Sequence, residues 1–187
     1  QMHSGGKSRT LRVAADDRSG TWRLTPADGR PIAAGAHRLH IAYSGRINRS
    51  GEGLYRAQHR VAGRPATMLA TQLQAVNARM VFPGWDEPLF RARFDITVTA
   101  PKGFEVLSNQ PLKTRQAVRA GVRHRFAPTP PMPSYLVALA VGKFDVLEDR
   151  SGPVPLRIFA APGKREQARY AMGVTQQLLP YYADYFG

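Results

Sequence analysis

Five histidines, the acid pair Asp86-Glu87 and the closely spaced glutamines Gln72 and Gln74 are the residues with chemistry to offer. His3, His37, His40, His59 and His124 are the only histidines, and cysteine is absent, which excludes disulfides and thiolate metal sites. A helical zinc site needs two histidines four apart on one face, a glutamate between them as base, and a third ligand. No such pattern occurs in the sequence. His37 and His40 form the closest pair, but in a strand-like segment an odd spacing sets them on opposite faces, so they read as two surface imidazoles. Asp86-Glu87 invites a general acid–base reading. The pair lies, however, in Pro83-Gly84-Trp85-Asp86-Glu87-Pro88, a turn sequence in which an Asp side chain bonds backbone N–H groups. With Arg79 as a partner, these acids read as braces for the loop ahead of them. Gln72 and Gln74 remain. An amide offers one oxygen acceptor and two N–H donors, so each can grip a ligand or cap backbone groups at a sheet edge.

The elements that must position these residues are mostly strands. From about residue 10 to 160, short alternating or β-branched runs are punctuated by Gly, Pro, Asn and Asp, the pattern of an antiparallel sandwich or saddle. Leu39, Ile41 and Tyr43 alternate with His40, Ala42 and Ser44, and Phe94, Ile96 and Val98 with Asp95, Thr97 and Thr99, giving each segment one face for a core. Pro101-Lys102-Gly103 turns the chain into Phe104-Glu105-Val106-Leu107, and Ser108-Asn109-Gln110-Pro111 turns it out again, which reads as a hairpin. The nearly apolar run from Tyr135 to Leu147 suits a strand buried on both faces at the centre of a sheet. After Pro162-Gly163 the period changes, with Tyr170, Val174, Leu178, Tyr181, Tyr182 and Tyr185 recurring at three and four. That predicts a helix from near Lys164 to the end, kinked or divided at Pro180. An aromatic stripe at this spacing is core packing, and its partner is expected in another domain.

At 187 residues the chain holds one sizeable core, with room for part of a second domain. No apolar run approaches the roughly 20 residues of a membrane helix, so no membrane partner is expected. Lys and Arg number 27 against 13 Asp and Glu, a net charge of +14, which favours acidic partners. Yet the basic residues are scattered singly, as in Arg91-Ala92-Arg93-Phe94-Asp95, without a basic block or an aromatic-glycine RNA signature. Nucleic acid is therefore not an expected partner, and the charge reads as a solvated surface. The absence of cysteine fits cytoplasm and periplasm alike, and Gln1 through Lys7 carry no apolar signal core.

Four segments together resemble one family. Thr71-Gln72-Leu73-Gln74-Ala75-Val76-Asn77-Ala78-Arg79 followed by Phe82-Pro83-Gly84-Trp85-Asp86-Glu87-Pro88 is similar to the segment that precedes the catalytic domain in zinc aminopeptidases of the aminopeptidase N and leukotriene hydrolase family. Arg91 to Ile96, then Met132-Pro133-Ser134-Tyr135-Leu136-Val137-Ala138 with Val141-Gly142-Lys143-Phe144, and finally Tyr181 to Gly187 match later family segments in the same order. Gly51-Glu52-Gly53-Leu54-Tyr55-Arg56 resembles a short family turn. The match covers roughly residues 40 to 187 and is weak over the first 35.

The resemblance implies a mainly β fold: an antiparallel sandwich or saddle over 1–160, its start truncated, then over 161–187 the first helix of a thermolysin-like catalytic domain. It implies that the whole protein is a zinc metallo-aminopeptidase removing amino-terminal residues from peptides, with zinc and the catalytic residues in the missing catalytic domain. This chain would then bind no metal and be inactive alone. By the same resemblance Gln74 contacts the substrate's amino end or first carbonyl, and Gln72 lines the pocket for the first side chain. Many members place Glu where this chain has Gln74, and Gln there resembles the leukotriene-hydrolysing branches. Many also carry Cys at the position of Gly84. Two other readings stand beside this one: a relative without a zinc site acting in a protein or nucleic-acid assembly, and a β-sandwich module binding polyanions.

Overall fold

A computed structural model describes residues 1–4, 6–16 and 18–187. The chain opens with β1 (Met2–Ser4) and β2 (Lys7–Arg9), then a freestanding hairpin of β3 (Leu11–Asp16) and β4 (Thr21–Pro26). A two-residue strand, β5 (Arg38–Leu39), returns to pair with β1. The strand expected through Tyr43 stops there. Leu39 and Tyr43 are exposed, so no core lies beneath the alternation to extend it, and pattern without burial does not make a strand.

The main body is a pair of antiparallel sheets. A hairpin of β6 (Gly53–Val61) and β7 (Arg64–Gln72) pairs along its whole length, from Gly53 opposite Gln72 to Val61 opposite Arg64. Its two-residue turn places Ala62 and Gly63 at φ 47° and 78°, the left-handed pair that matches the twist of adjoining strands. Then come β8 (Thr97–Ala100), β9 (Glu105–Ser108), β10 (Leu112–Val118), β11 (Gly121–Phe126) and β12 (Leu139–Gly142). One sheet runs β6-β7-β12-β9 and the other β10-β11-β8. They meet across a core of Ala100, Val106 and Phe126, flanked by Ile96, Val98, Phe104 and Val141.

This arrangement corrects the hairpin expected at Pro101-Lys102-Gly103. The turn is present, with Phe104 N–H donating to Pro101 O at 3.3 Å, but β8 pairs with β11 and β9 with β12. The turn crosses between sheets because Val98 and Ala100 before it, and Phe104 and Val106 after it, face a shared core from opposite sides. Closeness of β8 to β11 is secured at Gly121, where a Cβ would lie 2.1 Å from the Ala100 carbonyl oxygen. Within the expected run from Tyr135 to Leu147, β12 is central, between β7 and β9. It spans only four residues, because residues 134–136 form a 3-10 turn and the chain leaves the sheet after Gly142.

Beyond it, β13 (Asp145–Asp149) and β14 (Leu156–Ala160) make a two-stranded ribbon against which α1 (Ala168–Phe186) packs. A short 3-10 turn, Arg165–Gln167, leads into the helix, which continues through Pro180. Its buried face is Ala168 and Met172 on Leu147, Leu156, Ile158 and Ala160. The expected aromatic stripe points elsewhere: Tyr170 is 83% exposed, and Tyr181, Tyr182, Tyr185 and Phe186 stack on one another in solvent. No helix among the described residues is long and apolar enough to cross a membrane.

Candidate functional site

Gln72 ends β7, and the chain stays extended for one more residue before turning. Gln72 and Gln74 are exposed while Leu73 between them is 2% exposed. That alternation follows from an extended backbone, which sends neighbours to opposite sides. Leu73 is the anchor, packed with Ala78, Met132 and Val137 and walled by Val81, Phe82, Phe94, Ile96 and Tyr135. The two glutamine amides therefore stand out from a loop rooted in a hydrophobic core.

Hydrogen bonds fix the shape of that loop. Asn77 N–H donates to Leu73 O at 2.9 Å and the Asn77 side-chain amide to Gln74 O at 3.3 Å. The Gln74–Ala75 peptide is cis. A 3-10 turn, Ala78–Met80, follows. The Asp86 carboxylate, 3% exposed as a residue, locks it from behind. Its Oδ2 accepts from Arg79 N–H at 2.9 Å and Arg79 Nε–H at 3.0 Å, and its Oδ1 from Ser134 Oγ–H at 2.8 Å. Glu87 adds a looser, exposed contact to Arg79 Nη2 at 3.7 Å. The acid pair thus braces the loop, as its turn-rich sequence indicates, and a carboxylate enclosed by three donors is engaged in structure rather than in proton transfer.

Two neighbouring segments complete the frame. Thr71 Oγ1 accepts from Leu139 N–H at 2.9 Å, tying the end of β7 to β12. Asn109 donates to Leu136 O at 2.7 Å and accepts from Ala138 N–H at 2.8 Å, closing backbone groups that no strand reaches. On the other flank Gly53, at φ +63°, lies under Met80; a Cβ there would meet that of Met80 at 3.1 Å. Ser134, Asn109 and Gly53 escape reasoning from sequence because each acts through a contact distant along the chain. In the segment that follows the glutamines several apolar side chains are exposed, Trp85 at 69% and Leu89 at 86%, with Val76, Met80 and Phe90 nearly half exposed.

The histidines are not assembled. His124 is fully buried on β11, its Nδ1 3.2 Å from Val122 O and its Nε2 without a partner among the described residues. His37 Nε2 lies 2.8 Å from Ala33 O, and His40 is exposed. Among the described residues no three His, Asp or Glu side chains come together as a metal site. The described residues therefore offer no ligand set for zinc.

The sequence matches known proteins over most of its length. Residues 3–136 match the family model described as the Peptidase M1 N-terminal domain. Aminopeptidase N of Acetobacter pasteurianus is 39% identical over 160 residues, covering 83% of this chain and 44% of that protein. Aminopeptidase M1-C of Oryza sativa subsp. japonica is 34% identical over 157 residues, 83% of this chain and 18% of the relative. Puromycin-sensitive aminopeptidase of Caenorhabditis elegans is 31% identical over 188 residues, 97% of this chain and 19% of the relative. The chain thus spans less than half the length of each of these relatives. With a mainly β, antiparallel architecture ending in a helix, it belongs to the M1 peptidase family and carries that family's amino-terminal domain.

Proposed function

We propose that this chain is the substrate-anchoring amino-terminal domain of a zinc-dependent aminopeptidase, an enzyme that hydrolyses amino-terminal residues from peptides. The observation that carries the reading is the loop at the end of β7: Gln72 and Gln74 exposed, Leu73 buried between them, and Asp86 clamping the turn behind. Relatives named as aminopeptidases support it. In this role Gln74 accepts a hydrogen bond from the substrate's ammonium through its amide oxygen, or donates to the first carbonyl, and Gln72 faces the first side chain. A neutral amide holds an ammonium less firmly than a carboxylate does, so Gln74 favours substrates bound by more than their amine.

Residues 1–160 then form the β domain and 161–187 the start of a catalytic domain that brings zinc, the base and the transition-state donors. Support comes from α1, whose stacked aromatic residues have no cover while Ala168 and Met172 hold it to the ribbon. The chain by itself is inactive on this reading. Hydrolysis of aminoacyl nitroanilides by this chain and by the longer gene product, each with added zinc, is the test. Turnover by the longer protein alone is expected; turnover by neither, or equal turnover by both, refutes the assignment.

A further inference from the structure

The outer face of the β10-β11-β8 sheet carries a feature that the peptidase reading leaves unused. The antiparallel register sets Thr97 and Thr114 on either side of Arg125, and Gln116 beside Arg123. With Asp95 these residues line an open trough of about 420 Å³, and all six are exposed. Neither arginine is in an ion pair among the described residues. Being two apart on one strand, they project about 6.8 Å apart on the same side. That is also the spacing of alternate side chains in an extended peptide.

We propose that this trough binds an extended acidic peptide segment, with carboxylates at two alternate positions paired to Arg123 and Arg125. Asp95 fixes the order of charges. It precedes Thr97, which is opposite Arg125, so the rows run Asp95, Arg125, Arg123 along the strands. The matching ligand carries a basic residue two positions from the nearer acid, as in Glu-Ser-Glu-Ser-Lys read in either chain direction. Thr and Gln donors flanking the arginines on the neighbouring strands serve the peptide's backbone carbonyls. A free phosphate is a poorer fit, because exposed single ion pairs are worth little and need to be used in series. Nucleic acid is poorer too: the Asp95 carboxylate opposes a continuing phosphate chain, and no aromatic side chain lines the trough for a base to stack on. The trough lies on a different sheet from Gln72 and Gln74, so its occupancy is independent of the aminopeptidase assignment.

Fluorescence anisotropy on this chain at low salt tests the proposal, using a labelled peptide containing Glu-Ser-Glu-Ser-Lys and a permuted one containing Glu-Glu-Ser-Lys-Ser. Tighter binding of the alternating peptide, weakened about ten-fold by Arg123→Gln with Arg125→Gln, is expected from the loss of two exposed pairs. Asp95→Asn should weaken that peptide yet strengthen one with Glu in place of its Lys. Circular dichroism confirms that these surface variants fold. Equal binding of the two peptides, indifference to the arginine substitutions, or displacement by equimolar phosphate or oligonucleotide overturns the proposal.

Discussion

Removal of the Asp86 carboxylate is the perturbation that most sharply tests how the glutamine loop is held. The group is almost wholly buried and accepts three hydrogen bonds, two from Arg79 and one from Ser134. Asp86→Ala strands the Arg79 backbone N–H and the Ser134 hydroxyl, and releases the guanidinium. Since a buried donor left without an acceptor costs about 1–3 kcal/mol, the expected loss is about 3–5 kcal/mol. Asp86→Asn keeps one oxygen for Arg79 and an amide toward Ser134, losing mainly the charge, for about 1–2 kcal/mol. For a chain of this size each kcal/mol lowers Tm by roughly 2–4 °C, so the two variants separate in a thermal melt. Urea titration supplies the free energies, and amide exchange over Leu73 to Arg79 should quicken in step. Ser134→Ala combined with Asp86→Ala closes a cycle in which the two losses are less than additive by about 1 kcal/mol. If Asp86→Ala costs under 1 kcal/mol, or the cycle is additive, the carboxylate does not hold the loop.

Two further perturbations probe the frame. Gly53→Ala forces a left-handed φ on alanine and crowds Met80, so about 1–3 kcal/mol should be lost, with chemical-shift changes spreading into Ala78–Met80; a neutral substitution with unmoved shifts would contradict that contact. Acid should loosen α1 from β13. The hydrogen bond from Gln176, with that from Ser151, holds the Asp149 carboxyl below its ordinary 3.8. A lowered folded value means the tie is intact above that range and lost as pH falls through the lowered one. Gln176→Ala should raise the NMR titration midpoint of Asp149 and make helix amide exchange less acid-sensitive.

Much of this architecture was legible from side-chain period. The alternation of Phe94, Ile96 and Val98 against Asp95, Thr97 and Thr99 matches their burial, and the helix after Pro162-Gly163 forms where its period changes. Reading failed where partnering is non-local. Nothing near Pro101 tells that β8 and β9 belong to different sheets, because their alternation would look the same in a hairpin. On α1 the small residue Ala168 and the single Met172 pack against the ribbon, which the aromatic period did not mark, while the stripe itself faces outward. At the glutamine loop, sequence identified Asp86 and Arg79 as partners but not Ser134, 48 residues away.

The role proposed for Gln74 is tested most directly in the aminopeptidase proposed to contain this chain, by steady-state kinetics of Gln74→Ala on dipeptide and aminoacyl nitroanilide substrates with zinc content measured alongside. Loss of one charge-assisted hydrogen bond of about 1.5–3 kcal/mol should lower kcat/KM by roughly ten-fold or more, chiefly through KM, with zinc unchanged. Gln74→Glu should tighten the binding of substrates with a free ammonium. Wild-type kcat/KM in Gln74→Ala, at full zinc occupancy, would remove this loop from the substrate site.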